Sequence, residues 1–195
     1  YLMLNSYSIE VFGELNYRTV IINTLFSLGL IALIMTLKKW KYYGFTKVKH
    51  PKKFLYFIPL ILIVSVNLWN GININNTPAE IVLHILNMIN VGFIEEIIFR
   101  GFLFKMMAKD KVKTAILVSS LTFGIGHIIN LFTGAAFLPT LLQIFYAFSI
   151  GYLFVTIFYK SKSIIPCIIT HCLVNSLSIF NTDNTITNYI ASVFL

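Results

Sequence analysis

The chain has 195 residues, of which 57% are hydrophobic and 11% charged, and its mean hydropathy is +0.82; a soluble domain carries roughly a quarter charged residues. That makeup excludes an ordinary water-soluble domain and makes the lipid bilayer the chain's solvent. The net charge of +8 does not point to nucleic acid, because the lysines sit in connections between apolar runs and form no stripe with interleaved aromatics.

The opening segment, Tyr1 to Tyr17, is too polar to span a membrane, and no cleavable signal peptide is evident in it. Beyond it, apolar runs near the ~20 residues that a helix needs to cross hydrocarbon predict six spans, at about 19–37, 54–70, 79–104, 114–132, 136–158 and 164–180. Barrel strands need short alternating segments, and these runs are long and unalternating. The predicted fold is therefore all-α, a polytopic transmembrane helix bundle forming one membrane domain over residues 1–195.

The first connection carries Lys38, Lys39, Lys41, Lys47, Lys49, Lys52 and Lys53, the third Lys105, Lys109, Lys111 and Lys113, and the fifth Lys160 and Lys162. The second, Gly71 to Pro78, and the fourth carry no charge. Positive connections face the cytoplasm, which predicts a multi-pass plasma-membrane protein with both ends outside. An external start with an even number of spans leaves room for a further helix before Tyr1, and the tail from Ile186 to Leu195 is too short to span. Cys167 and Cys172, five apart on one helix, point different ways and predict no disulfide between them.

Only seven acidic residues occur, and Glu95 and Glu96 lie side by side inside the third predicted span with Arg100. Each of the three costs about 3 kcal/mol near a helix centre, while about fifteen Leu, Ile, Val and Phe residues return roughly 0.3 to 0.6 kcal/mol each. Such a helix barely breaks even, so the folded bundle must pair these groups or hydrate them. Glu96 and Arg100, four apart, share a helix face, whereas Glu95 points about 100° away. Arg100 can thus hold Glu96 ionised and leave Glu95 to face a cavity as a general base. The plainer alternative is a buried Glu/Arg pair used for helix registry.

The fourth span holds Phe123, Gly124, Gly126 and His127, and the sixth holds His171 and Asn175. A lone intramembrane histidine, His84 among them, is more often a hydrogen-bonded packing residue. His171 and Asn175 differ, since a spacing of four puts two donors on one face, toward a single oxygen. Gly124 and Gly126 would let a backbone or substrate chain approach closely. Helix rise places His127 about 20 Å, Glu95 about 15 Å and the His171/Asn175 pair about 10 to 16 Å from the lysine-bearing end, so the groups share a level.

In order, Glu95-Glu96-Ile97-Ile98-Phe99-Arg100, Phe123-Gly124-Ile125-Gly126-His127 and His171-Cys172-Leu173-Val174-Asn175 resemble the motifs Glu-Glu-x-x-x-Arg, Phe-x-x-x-His and His-x-x-x-Asn of the CAAX protease and bacteriocin-processing family of intramembrane peptidases, also called CPBP or Abi. The resemblance covers Val91 to Ser176 as a catalytic core; six spans is fewer than the eight of the family's CAAX-processing members. It implies peptide-bond hydrolysis in the membrane, with Glu95 activating a water helped by His127, His171 and Asn175 stabilising the oxyanion, and Glu96 and Arg100 orienting them. Two Glu and two His also make a credible zinc set, drawn from Glu95, His127 and His171. A metal-free, cofactor-free mechanism is preferred, because Asn175 is a poor zinc ligand.

Two other classes compete. A proton-coupled transporter would use the same acids and histidines, but the chain shows no inverted repeat and no Gly/Pro-interrupted helix pairs. A non-catalytic scaffold, in bacteriocin immunity or sensor regulation, would keep the fold without cleavage. Richness in Ile, Asn, Phe and Lys points to an AT-rich bacterial source. The expected partners are membrane lipid and a small membrane-associated peptide or protein substrate, such as a bacteriocin leader, entering where lysines attract anionic head groups.

Overall fold

Local chemistry fixes where the helices begin. The Asn16 side chain accepts from the Arg18 N–H at 2.9 Å and caps α2, Tyr17–Thr36. At Thr77 a capping box closes reciprocally with Glu80, and Pro78 occupies the first turn, where its missing N–H costs nothing, to start α4, Pro78–Met107. Pro166 does the same for α7, Ile165–Phe180. The other helices are α1, Leu2–Phe12; α3, Ile58–Leu68; α5, Val112–Leu131; and α6, Phe137–Ser161. The computed structural model describes residues 1–49, 57–69 and 71–182. Lys52, Lys53, the first residues of the second predicted span and the tail from Ile186 lie outside the described residues.

The fold is an all-α bundle; among the described residues the only β pairing is a single antiparallel bridge between Ile72 and Asn181. Apolar helices stand at all six predicted positions. Among the described residues, α2, α4, α5 and α6 are long and apolar enough to cross a membrane, whereas α3 and α7 are shorter. Hydropathy measures the apolar run, and the helix ends where geometry changes. The last turn of α7 tightens into a 3₁₀ turn at Ser178–Phe180, and the bridge follows at Asn181.

α5 packs along α6, α4 lies between α2 and α7, and α3 lies on α7. Small residues permit the closest approaches: a Cβ on Gly92 would stand 3.0 Å from the Cys172 backbone nitrogen and 3.2 Å from its Cα. Side-chain amides tie the layers. Asn23 of α2 donates to both Asn5 of α1 and Asn87 of α4 at 2.7 Å, and Asn90 donates to Thr24 at 3.0 Å. In a bilayer such polar pairs replace the hydrophobic drive between helices. Leu25, Ile61, Leu117, Phe145 and Ile169 are all exposed on the outer surface, where lipid is the matching solvent.

After Glu96, α4 changes its winding. Residues Ile97–Phe104 form a π-helix before a last α-helical turn at Lys105–Met107. Such i→i+5 stretches are rare and concentrate at functional sites. Here the Phe99 carbonyl accepts from the buried Ser119 hydroxyl at 2.9 Å. The largest apolar cluster surrounds this stretch and includes Ile34, Ile97, Phe104, Phe154 and Ile164.

Candidate active site

The third predicted span contributes three charged side chains, and burial dictates how they meet. Glu96 and Arg100 are completely inaccessible, and Glu95 is 6% exposed. Arg100 Nη1 lies 3.0 Å from Glu96 Oε1. The guanidinium also covers the Phe123 ring, with Cζ 4.3 Å from its centroid, and approaches Phe154 at 5.5 Å. A planar cation gains from ring faces when it is dry. Gly151 makes room for this stack, since a Cβ there would meet Phe123 at 3.0 Å and Arg100 Nη2 at 3.5 Å.

His171 of α7 stands between the two carboxylates. Its Nδ1 lies 2.9 Å from Glu96 Oε1 and its Nε2 3.5 Å from Glu95 Oε2. The Nδ1 contact has hydrogen-bond geometry, and Nε2 faces the Glu95 carboxylate at longer range. Two acidic and two basic side chains thus meet, and such pairing is what makes the cluster tolerable inside an apolar bundle.

His127 sits where α5 tightens from α-helix to 3₁₀. Its Nδ1 is 3.1 Å from the Phe123 carbonyl, four residues back. A carbonyl only accepts, so Nδ1 carries a proton, and in the neutral tautomer this selects the lone pair is on Nε2. His127, His171 and Asn175 line one cavity of about 100 Å³, together with Gln143 and Tyr146 and with apolar walls from Phe123 and Phe154. That is room for a few waters beside several polar partners. Glu95 is not among the residues lining it; His171 stands between that carboxylate and the cavity.

His84 is buried and hydrogen-bonded, with Nε2 3.0 Å from the Asn175 carbonyl and Nδ1 3.2 Å from Glu14. It braces the α7 backbone from outside the cavity. Gly124 is used by a neighbouring backbone, since a Cβ would meet the Ile144 carbonyl at 2.8 Å, and Gly126 by the side chain of Leu2. Cys167 and Cys172 are both free thiols.

Three further contributors stand beside the polar residues, one inside a motif and two outside all of them. Phe123 is a hub whose ring meets His127 at 5.4 Å, His171 at 5.7 Å and Phe99 at 5.2 Å between centroids, besides carrying Arg100. Leu2 packs on the Phe99/Phe123/Ala147 cluster. Tyr1 packs on Phe26 at 5.3 Å, and burial first, then the charge of Glu95, holds its phenol above the usual pKa. The intramembrane position of the Phe in Phe-x-x-x-His was the only available hint of the hub; nothing in the polar opening segment pointed to the site.

As for a metal, the described residues contain no group of three His, Cys, Asp or Glu placed to hold one. The physical reason is that both nitrogens of His171 are turned to carboxylates and Nδ1 of His127 to a carbonyl. This arrangement does not fit a zinc set of Glu95, His127 and His171.

A family described as type II CAAX prenyl endopeptidase Rce1-like matches residues 77–177. The match opens at the Thr77 cap of α4 and closes inside α7, so it contains Glu95, Glu96, Arg100, His127, His171 and Asn175. No curated protein and no solved structure matches the chain.

Proposed function

From the premise that this chain belongs to the Rce1-like family of type II CAAX prenyl endopeptidases, a family of membrane-embedded proteases, we propose that it hydrolyses a peptide bond in a small membrane-associated peptide by glutamate-activated water. The observation that carries this reading is the buried chain of contacts Glu95, His171, Glu96, Arg100 beside a cavity that His127 and Asn175 also line.

The two contacts of His171 are unequal. The one to Glu96 is short at 2.9 Å and that to Glu95 long at 3.5 Å. The Nδ1 side therefore stays with Glu96, which Arg100 also faces, and Nε2–H is the donor free to leave Glu95. When a scissile carbonyl enters the cavity, Nε2–H and the Asn175 amide donate to its oxygen, and Glu95 is released to act as base. With Nε2 of His171 turned to that oxygen, Glu95 gains the access to the cavity that the imidazole otherwise blocks; a water held by Nε2 of His127 then attacks the carbonyl carbon and its proton passes to Glu95. Collapse of the tetrahedral intermediate breaks the C–N bond, and Glu95 returns that proton to the leaving amine. Preorganised donors in a dry site lower such a barrier by several kcal/mol, because they need no reorganisation as charge develops. No metal enters this scheme.

The lysine-bearing ends of the first, third and fifth connections meet at one end of the bundle, and we take that end as cytoplasmic. The substrate would then be a membrane-associated leader or signalling peptide entering from that side. The test is Glu95→Gln, which keeps size and removes the base. Peptides from membranes bearing the variant should show an uncleaved precursor that wild-type membranes lack. Normal insertion with no precursor accumulating, and unchanged biological activity, would replace the protease with the scaffold.

A further inference from the structure

At the lysine-bearing end lies a cavity of about 480 Å³ that shares no lining residue with the carboxylate cluster. Six lysines line it: Lys41, Lys47 and Lys49 from the first connection, Lys105 near the end of α4, Lys109 in the turn after it, and Lys162 after α6. No acidic residue lines it, and among the described residues none of the six forms an ion pair. Gathering six like charges around one hollow is unfavourable by itself, so an occupant must supply the opposite charge.

The hollow is built by the fold. The first connection is fastened to the turn after α6 by four bonds: Lys49 N–H to the Ser161 carbonyl at 2.9 Å, the Thr46 hydroxyl to the Lys162 carbonyl at 2.8 Å, the Ser163 hydroxyl to the Thr46 carbonyl at 2.6 Å, and Ile164 N–H to the Gly44 carbonyl at 2.9 Å. Gly44 takes φ +92°, and any side chain there would run into the Phe158 ring. Lys162 adopts a left-handed φ of 58°, which costs a non-glycine residue energy. Aromatic faces position two ammonium groups: Lys105 Nζ is 4.6 Å from the Tyr42 ring centroid and Lys162 Nζ 4.1 Å from that of Tyr159. A loosely solvated charge run needs none of these fixtures.

We infer that this cavity is a binding site for a phosphate-bearing anion of headgroup size, and that the anionic phospholipid of the surrounding leaflet is its source. The volume suits a small ligand and not a folded partner, the ammonium groups match phosphate oxygens, and the site opens where the spans end, at the depth of lipid head groups. The inference is independent of the protease reading, since no residue is shared with the carboxylate site.

The test is native mass spectrometry of the full chain released from detergent, titrated with short-chain phosphatidylglycerol, with phosphatidylcholine of the same chain length, and with inorganic pyrophosphate. The site predicts one saturating phosphatidylglycerol adduct, none with phosphatidylcholine, and displacement of the adduct by pyrophosphate. Each lysine beside an anionic lipid is worth about fivefold in affinity, so Lys105→Gln with Lys162→Gln should weaken the adduct about thirtyfold. Lys47→Gln with Lys49→Gln, from the first connection, should do the same if the first pair harms folding. Lys111→Gln with Lys113→Gln removes equal charge outside the cavity and should change affinity less than about threefold. Saturation by pyrophosphate without phosphatidylglycerol would keep the phosphate site and overturn the lipid source. Equal retention of both lipids, or equal loss in the Lys111/Lys113 pair, would overturn the site itself.

Discussion

Gly92→Ala tests whether close approach of α4 and α7 sets the geometry of the charged cluster. The added Cβ would stand 2.9 Å from Cys172 Sγ, 3.0 Å from its backbone nitrogen and 3.2 Å from its Cα. Carbon contacts are best near about 3.5 Å, so α7 must retreat by about half an ångström. Overpacking of this kind costs about 1–3 kcal/mol, and for a chain of this length 2 kcal/mol lowers the melting temperature by about 4–8 °C. Cys172 is the neighbour of His171, whose Nε2 is already 3.5 Å from Glu95. A 1 Å misplacement can cost about a hundredfold in rate, so half of that should cost about tenfold. Thermal unfolding in detergent and cleavage of the precursor that accumulates in the Glu95→Gln membranes read the two effects. The companion Gly92→Ala/Cys172→Ala sharpens the test: two of the three contacts are to backbone, so removing the sulfur should restore little. Wild-type melting and turnover in the single variant, or full rescue in the double, would refute the reasoning.

Arg100→Met should destabilise by about 3–5 kcal/mol, because it strands Glu96 as a buried, unpaired charge; Arg100→Met/Glu96→Gln should recover much of that, and additive losses in a double-mutant cycle would deny the pairing. Arg100→Lys should remain markedly less stable than wild type in the same melts, since an ammonium cannot cover the Phe123 and Phe154 rings as the planar guanidinium does. If the reaction runs without a metal, a tight zinc chelator should leave precursor cleavage within about twofold, well under the 10- to 100-fold losses seen when metal sites are disturbed; inhibition reversed by added zinc would overturn it.

The apolar runs and the embedded charges were legible because the bilayer penalises both errors heavily: an interrupted run cannot span, and Glu95, Glu96 and Arg100 cannot sit in hydrocarbon uncompensated. The spacing of four between Glu96 and Arg100 placed them together, and they lie 3.0 Å apart. Depth counted from helix rise brought His127, His171 and Asn175 to one level, and the three line one cavity. Which carboxylate His171 would meet was not legible. That depends on how α7 is rotated against α4, which the close approach at Gly92 and Cys172 decides across 80 residues of chain. Counting at 3.6 residues per turn also gives no sign that α4 becomes a π-helix after Glu96. The fastening of Thr46 to Lys162 joins residues 116 apart, so the alternating lysines announced topology but not the hollow they build.

The slack winding of α4 has a mechanical consequence. For eight residues, Ile97 to Phe104, the coil holds more chain per turn, so everything past it lags behind an unbroken helix. One rod can thus aim its acids inward midway along its length while Lys105 emerges at the rim on a bearing of its own. Excising a single residue from that interval would re-aim the lysine and leave the acids upstream where they are.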